Sequence, residues 1–160
     1  MTDKIPYNNI RRGIIKVANH INAHYGKRPI LAVCVLKGAV HFFSDLVLML
    51  DMPVEYAFLQ VQTYNGKEAN SKLLFDYNAD FSGKNVLIVE DILDTGCTIE
   101  YLKEYLTGKG AKSIATTALF YKKGQKAEFL GLEVPTDKWL VGFGLDISQQ
   151  NRNKKDVLFV

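Results

Sequence analysis

Hydrophobic positions along the chain alternate between two rhythms. Over residues 8–25, Ile10, Ile14, Val17 and Ile21 share one helical face, and Gly26 stands where a helix would stop. Residues 30–36 form an unbroken apolar run of strand length, 40–50 return to a helical pattern, and 54–62 predict a second strand just after Pro53. A polar stretch at 63–72 predicts a loop. A short strand at 73–77 and a turn at Ser82-Gly83 follow, then a buried strand over 85–90. Residues 98–106 predict a helix stopped by Gly108 and Gly110. Strands at 113–121, 138–145 and 157–160 finish the chain.

Strands alternating with helices predict an α/β fold, with a mainly parallel twisted sheet flanked by helices. Ligands of such sheets bind beyond the carboxyl ends of the strands. Leu36-Lys37-Gly38, Glu90-Asp91 and Tyr121-Lys122-Lys123 all fall at predicted strand ends. With 160 residues and 48% hydrophobic content, the chain is sized for a single domain over residues 1–160, and no Pro/Gly/Ser-rich linker divides it. A net charge of +3, with both signs interspersed, gives no contiguous basic face for nucleic acid or membrane. The first residues lack the apolar core of a signal peptide and no apolar stretch is long enough to span a bilayer, so a cytoplasmic protein is expected. Cys34 and Cys97 lack the spacing of a disulfide framework or a zinc site. His20, His24 and His41 show no metal-ligand spacing either, and read as structural.

The candidate chemistry is concentrated in Asn85-Val86-Leu87-Ile88-Val89-Glu90-Asp91-Ile92-Leu93-Asp94-Thr95-Gly96-Cys97-Thr98. An apolar strand delivers two adjacent carboxylates and a third, then a small hydroxyl-bearing turn that opens a helix. Carboxylates accept hydrogen bonds from a sugar diol, while N–H groups at a helix start favour phosphate, so the segment suits a sugar phosphate. Other phosphate loops fail. Asn78 and Asn85 break a Walker A pattern around Gly83-Lys84, and Gly142-Phe143-Gly144 lacks the third glycine of a dinucleotide fingerprint.

The segment from Val89 to Thr98 resembles the phosphoribosyl pyrophosphate motif of the type I phosphoribosyltransferases, the weight resting on Glu90, Asp91, Asp94, Thr95, Gly96 and Thr98. Leu36-Lys37-Gly38 resembles the pyrophosphate loop of the hypoxanthine-guanine branch, and Thr63-Tyr64 the Ser-Tyr pair that opens its flexible loop. Lys122 resembles the lysine that reads the purine's exocyclic oxygen. Residues 137–146, with Trp139, Leu140 and Leu145, resemble the base-binding segment, and Arg152 follows Asp146 at the family's interval. Two departures stand out: Cys97 replaces the Lys of several relatives, and Thr63 the usual Ser.

The resemblance implies transfer of a phosphoribosyl group from phosphoribosyl pyrophosphate to a 6-oxopurine, hypoxanthine, guanine or xanthine, with a small hood from the N- and C-terminal segments over the base site. It implies Glu90 and Asp91 on the ribose, Thr95 to Thr98 under the 5′-phosphate, and Lys37, Gly38 and Arg152 on pyrophosphate. Mg2+ would be held at Glu90, Asp91 and Asp146, as a hard cation in a phosphate-bearing oxygen site. Asp94 is the catalytic candidate, a general base for the purine proton, a task that calls for burial and neighbouring acids to raise its pKa. The family's members are dimers or tetramers, so a homo-oligomer is implied. Chemistry alone leaves Lys122 and Lys123 interchangeable as the base reader and leaves Trp139 as core or stacking platform. The competing classes are a ligand sensor that keeps this fold and binds nucleic acid, and an enzyme for a pyrimidine or for xanthine alone.

Overall fold

The computed structural model describes residues 4–63, 71–76 and 79–160. Its elements run β1 (Lys4–Ile5), α1 (Tyr7–Tyr25), β2 (Ile30–Leu36), α2 (Val40–Val47), β3 (Val54–Thr63), β4 (Ser71–Asp76), β5 (Asn85–Leu93), α3 (Cys97–Gly108), β6 (Ser113–Lys122), β7 (Phe129–Val134), β8 (Leu140–Val141) and β9 (Val157–Phe159). The larger sheet has the order β4-β3-β2-β5-β6-β7, parallel throughout except for β4, which pairs antiparallel with β3 at the edge. The smaller sheet joins the two ends of the chain, β1 and β8 each lying antiparallel to β9.

Strand alternation divides the core between the sheet's faces. Ile30, Ala32 and Cys34 of β2 and Leu87 and Val89 of β5 pack with α1 and α2. Leu31, Val33, Val35, Val86 and Ile88 pack with Ile99, Leu102 and Leu106 of α3 on the other face. Such two-faced burial explains why these strands read as continuous apolar runs. Polar clamps fix the helices. The Asn22 amide donates to the Met49 carbonyl (2.9 Å) and accepts from the Asp51 N–H (3.0 Å), tying the end of α1 to the turn after α2. Asp156 accepts from Lys4 Nζ (2.8 Å) and the Tyr7 N–H (2.9 Å), holding the small sheet to the start of α1.

Several boundaries differ from the sequence expectation. β5 continues through both acids to Leu93, because β6 pairs with it that far (Ile92↔Phe120, Leu93↔Tyr121). β7 lacked a sequence signal: Gly131 and Glu133 break its pattern, yet it completes the sheet beside β6. The expected strand at 138–145 shrinks to Leu140–Val141, since Gly142 and Gly144 adopt positive φ (114° and 98°) and fold the chain into a tight turn. The helix expected over 40–50 ends at Val47, and the two-residue β1 was not foreseen. β3 reaches Thr63 and β4 starts at Ser71, so strand structure enters the expected loop segment from both sides; residues 64–70 lie outside the described residues.

Candidate active site

Three neighbouring parallel strands, β2, β5 and β6, end on the same side of the sheet, and their ends carry the residues singled out above. The contact between the first two is close. A Cβ built on Gly38 would lie 1.6 Å from Asp91 Oδ2, and one on Gly144 would lie 2.0 Å from the Gly38 carbonyl oxygen. The turn after β2 is therefore sandwiched between the β5 acid and the loop after β8, in a space that admits no side chain. The Leu36–Lys37 peptide entering this turn is cis.

Glu90 and Asp91 alternate across the strand and border different cavities. Glu90 faces a pocket of about 280 Å³ lined also by Ile92, Asp94, Thr95, Gly96 and Thr98. Asp91 faces a cleft of about 410 Å³ with Asp94, Lys122, Lys138, Trp139, Leu140, Leu145 and Asp146. The two carboxyls nonetheless hydrogen-bond to each other. Burial, then the adjacent Asp91 charge, pushes Glu90 well above its ordinary value, and its Oε1 accepts the Asp91 N–H at 3.0 Å. Burial also raises Asp91, against the hydrogen bond with Glu90, the Ile92 N–H at 2.6 Å and the Arg152 charge.

Past Leu93 the chain enters a turn whose Gly96, at φ 82°, lies in the left-handed region and precedes the first turn of α3. The Cys97 N–H meets Thr95 Oγ1 at 3.4 Å, and Thr98 Oγ1 lies 3.2 Å from Thr63 Oγ1, which itself bonds Ser71 Oγ at 2.8 Å. Thr63 thus joins the pocket's rim. Tyr64 lies outside the described residues.

In the larger cleft Lys122 Nζ pairs with Asp94 Oδ1 at 2.9 Å, the lysine side chain 14% and the aspartate 45% exposed. Of the two adjacent lysines, Lys122 is the one that borders the cleft. The surroundings of Asp94 differ from the expectation of burial among acids: it is half open to solvent and held by a cation. Trp139 is 59% exposed at the cleft and its indole N–H approaches the Asp146 carbonyl at 3.4 Å, so it is no core residue.

Asp146 and Arg152 pair at 2.9 Å, and Arg152 Nη1 donates to the Gly144 carbonyl at 2.6 Å. Lys37 Nζ reaches Gln149 Oε1 at 3.3 Å. Gln149 carried no functional signal in the sequence; only its place in the loop after β8 brings it in, while Lys138, just before β8, lines the cleft. The described residues contain no closed cage of metal ligands. Asp91 and Asp146 offer hard oxygens to one cleft, a set that could hold a divalent cation completing its shell with ligand oxygens and water.

Folding raises the Glu90 pKa, so its stabilising contribution is complete below the ordinary 4.5 and is lost as pH climbs through the raised folded value. Glu90→Gln is expected to flatten the fall in Tm of the ligand-free protein between about pH 5 and pH 8. Parallel Tm profiles for the two proteins would contradict the assignment.

The phosphoribosyl transferase domain family matches residues 6–148. The hypoxanthine-guanine phosphoribosyltransferase of Aquifex aeolicus (strain VF5) is 40% identical, over 94% of this chain and 89% of that protein. That of Bacillus subtilis (strain 168) is 35% identical over 90% and 84%. Among solved structures, a hypoxanthine-guanine phosphoribosyltransferase from Bacillus anthracis superposes with a TM-score of 0.92 at 27% identity, covering 100% of this chain and 98% of that one. A hypoxanthine phosphoribosyltransferase from Trypanosoma cruzi, complexed with its product IMP, gives 0.89 at 29% identity, covering 98% and 90%. The chain is a phosphoribosyltransferase enzyme and belongs to the type I phosphoribosyltransferase family.

Proposed function

We propose that the chain transfers the 5-phosphoribosyl group of phosphoribosyl pyrophosphate to a 6-oxopurine, hypoxanthine or guanine with xanthine the third candidate, releasing pyrophosphate. The observation that carries this reading is the Asp94–Lys122 ion pair of 2.9 Å, set in the cleft below Trp139 and beside the Thr95–Thr98 turn. In this reading the pair supplies a proton acceptor and an oxygen reader side by side, next to the turn that serves as an anion cradle.

In this reading the purine stacks on Trp139 and its 6-oxo group accepts from Lys122 Nζ. That hydrogen bond draws the ammonium away from Asp94, whose freed carboxylate takes the ring N–H proton as the nitrogen bonds to the anomeric carbon. The partner cation, rather than burial, governs when Asp94 becomes available. Ribose hydroxyls donate to the Glu90–Asp91 pair, and the Asp91 charge stabilises the positive charge that builds on the ring as pyrophosphate departs. Leu140 and Leu145 complete the apolar edge of the cleft, and the small sheet that carries Leu140 serves as the hood of a single domain. The turn Asp94 to Thr98 holds the 5′-phosphate through hydroxyls, N–H groups at the start of α3 and the close approach that Gly96 permits. At Cys97 only the backbone N–H serves this purpose.

Lys37, Arg152 and the backbone at Gly38 take the pyrophosphate. Mg2+ would neutralise charge on the leaving group, with Asp91 and Asp146 as the residues to hold it and Glu90, its pKa raised by burial and its side chain turned to the other pocket, the weaker candidate. A homo-oligomer, dimer or tetramer, is part of this reading through the resemblance to the family.

A pyrophosphate-release assay with phosphoribosyl pyrophosphate, Mg2+ and hypoxanthine, guanine, xanthine, adenine or uracil tests the reading. Turnover with oxopurines is expected, and little with adenine, whose 6-amino group would meet Lys122 donor to donor. Efficient use of adenine would overturn the base assignment, and silence with every base would favour a ligand sensor. Asp94→Asn is expected to lower kcat by about 100-fold or more while KM for hypoxanthine stays within about threefold. An unchanged kcat would remove Asp94 from proton transfer.

A further inference from the structure

We propose that Gln149 is a positioning residue that holds Lys37 and Arg152 converged on one oxygen site and yields that site to an oxygen of pyrophosphate. The inference rests on the proposed pyrophosphate role of those two cations. Gln149 Oε1 accepts from Lys37 Nζ at 3.3 Å and from Arg152 Nη2 at 3.2 Å. One neutral oxygen thus bridges two cations supplied by segments far apart in the chain, the turn after β2 and the loop after β8.

The backbone is shaped for this reach. Ser148, Gln149 and Asn151 all adopt positive φ (52°, 64° and 71°), uncommon for residues with a Cβ. The Gln149 N–H anchors on Asp146 Oδ2 at 2.7 Å, while Asp146 Oδ1 takes Arg152 at 2.9 Å. Asp146 therefore fixes the Gln149 backbone and the Arg152 guanidinium together, so the side chain that carries the amide oxygen starts from a point set relative to the cation it contacts. Arg152 Nε, buried, has no hydrogen-bond partner among the described residues, leaving the guanidinium with unused donor capacity.

The chemistry of the bridging atom matters. Two ammonium-type charges facing the same point repel, and a carbonyl dipole between them offsets the repulsion without forming an ion pair. A pyrophosphate oxygen adds a full opposite charge to the hydrogen bonds that both cations already give the neutral amide, so an arriving pyrophosphate oxygen outcompetes it. A carboxylate in the same place would hold both cations and oppose the ligand. Glutamine supplies pre-organisation with a weak competitor; glutamate would supply a strong one, and leucine none.

The test compares wild type, Gln149→Leu and Gln149→Glu, all of which retain the backbone N–H that binds Asp146. Two probes are titrated calorimetrically against each, pyrophosphate with Mg2+ and inosine monophosphate, which has no pyrophosphate group to place against Lys37 and Arg152. Both variants are expected to bind pyrophosphate roughly five- to twentyfold more weakly, the glutamate variant the weaker of the two, with KM for phosphoribosyl pyrophosphate rising in parallel. Binding of inosine monophosphate should stay within about twofold of wild type. Equal weakening of both probes would assign Gln149 a merely structural role in the loop and overturn the proposal, as would unchanged pyrophosphate binding in both variants. Wild type that fails to bind pyrophosphate while binding inosine monophosphate would instead overturn the pyrophosphate role of Lys37 and Arg152, and the proposal with it.

Discussion

The site depends on a side chain that is missing. With no Cβ at Gly38, the Asp91 carboxylate can lie directly against the turn after β2, and with none at Gly144 the loop after β8 can close on that turn from the other side. Any larger residue at either position would drive β2, β5 and the distal loop apart, and with them the acids of β5, Lys37 and Arg152. Packing of this kind is costly in one respect, since it buries two adjacent carboxyls. That burial, with a like charge alongside, is what raises Glu90 well above its ordinary value.

From this contact the division of labour along one strand follows. Alternation along β5 sends Glu90 toward the Thr95–Thr98 turn and Asp91 toward the cleft beside Trp139, and the next turn of chain brings Asp94 to Lys122. In the proposed reading, residues close in sequence thereby address the phosphate, the sugar and the base of one nucleotide. Lys37 and Arg152, the cations proposed for the leaving group, come from elsewhere, and they converge on the loop that carries Gln149.

Much of the fold was legible because buried parallel strands leave unbroken apolar runs, as at β2 and in the first half of β5. β7 was not, since Gly131 interrupts it and its partner β6 rather than its own pattern makes it a strand. The continuation of β5 through Glu90 and Asp91 was hidden for a related reason: acids read as a strand end, whereas pairing with β6 extends the strand past them. At the site, Glu90, Asp91 and the Thr95–Thr98 turn could be read locally because spacing within a strand and a turn sets their geometry. The cation beside Asp94, the exposure of Trp139 and the bridging by Gln149 are products of tertiary contact, to which no local pattern corresponds.

The claim that one strand end addresses a whole nucleotide is tested most directly by a crystal structure with bound inosine monophosphate. The account predicts the phosphate on the Thr95–Thr98 turn, the ribose hydroxyls on Glu90 and Asp91, and Lys122 Nζ moved from Asp94 to the 6-oxo group. A phosphate bound away from that turn, or a Lys122–Asp94 pair left intact beneath the purine, would contradict it.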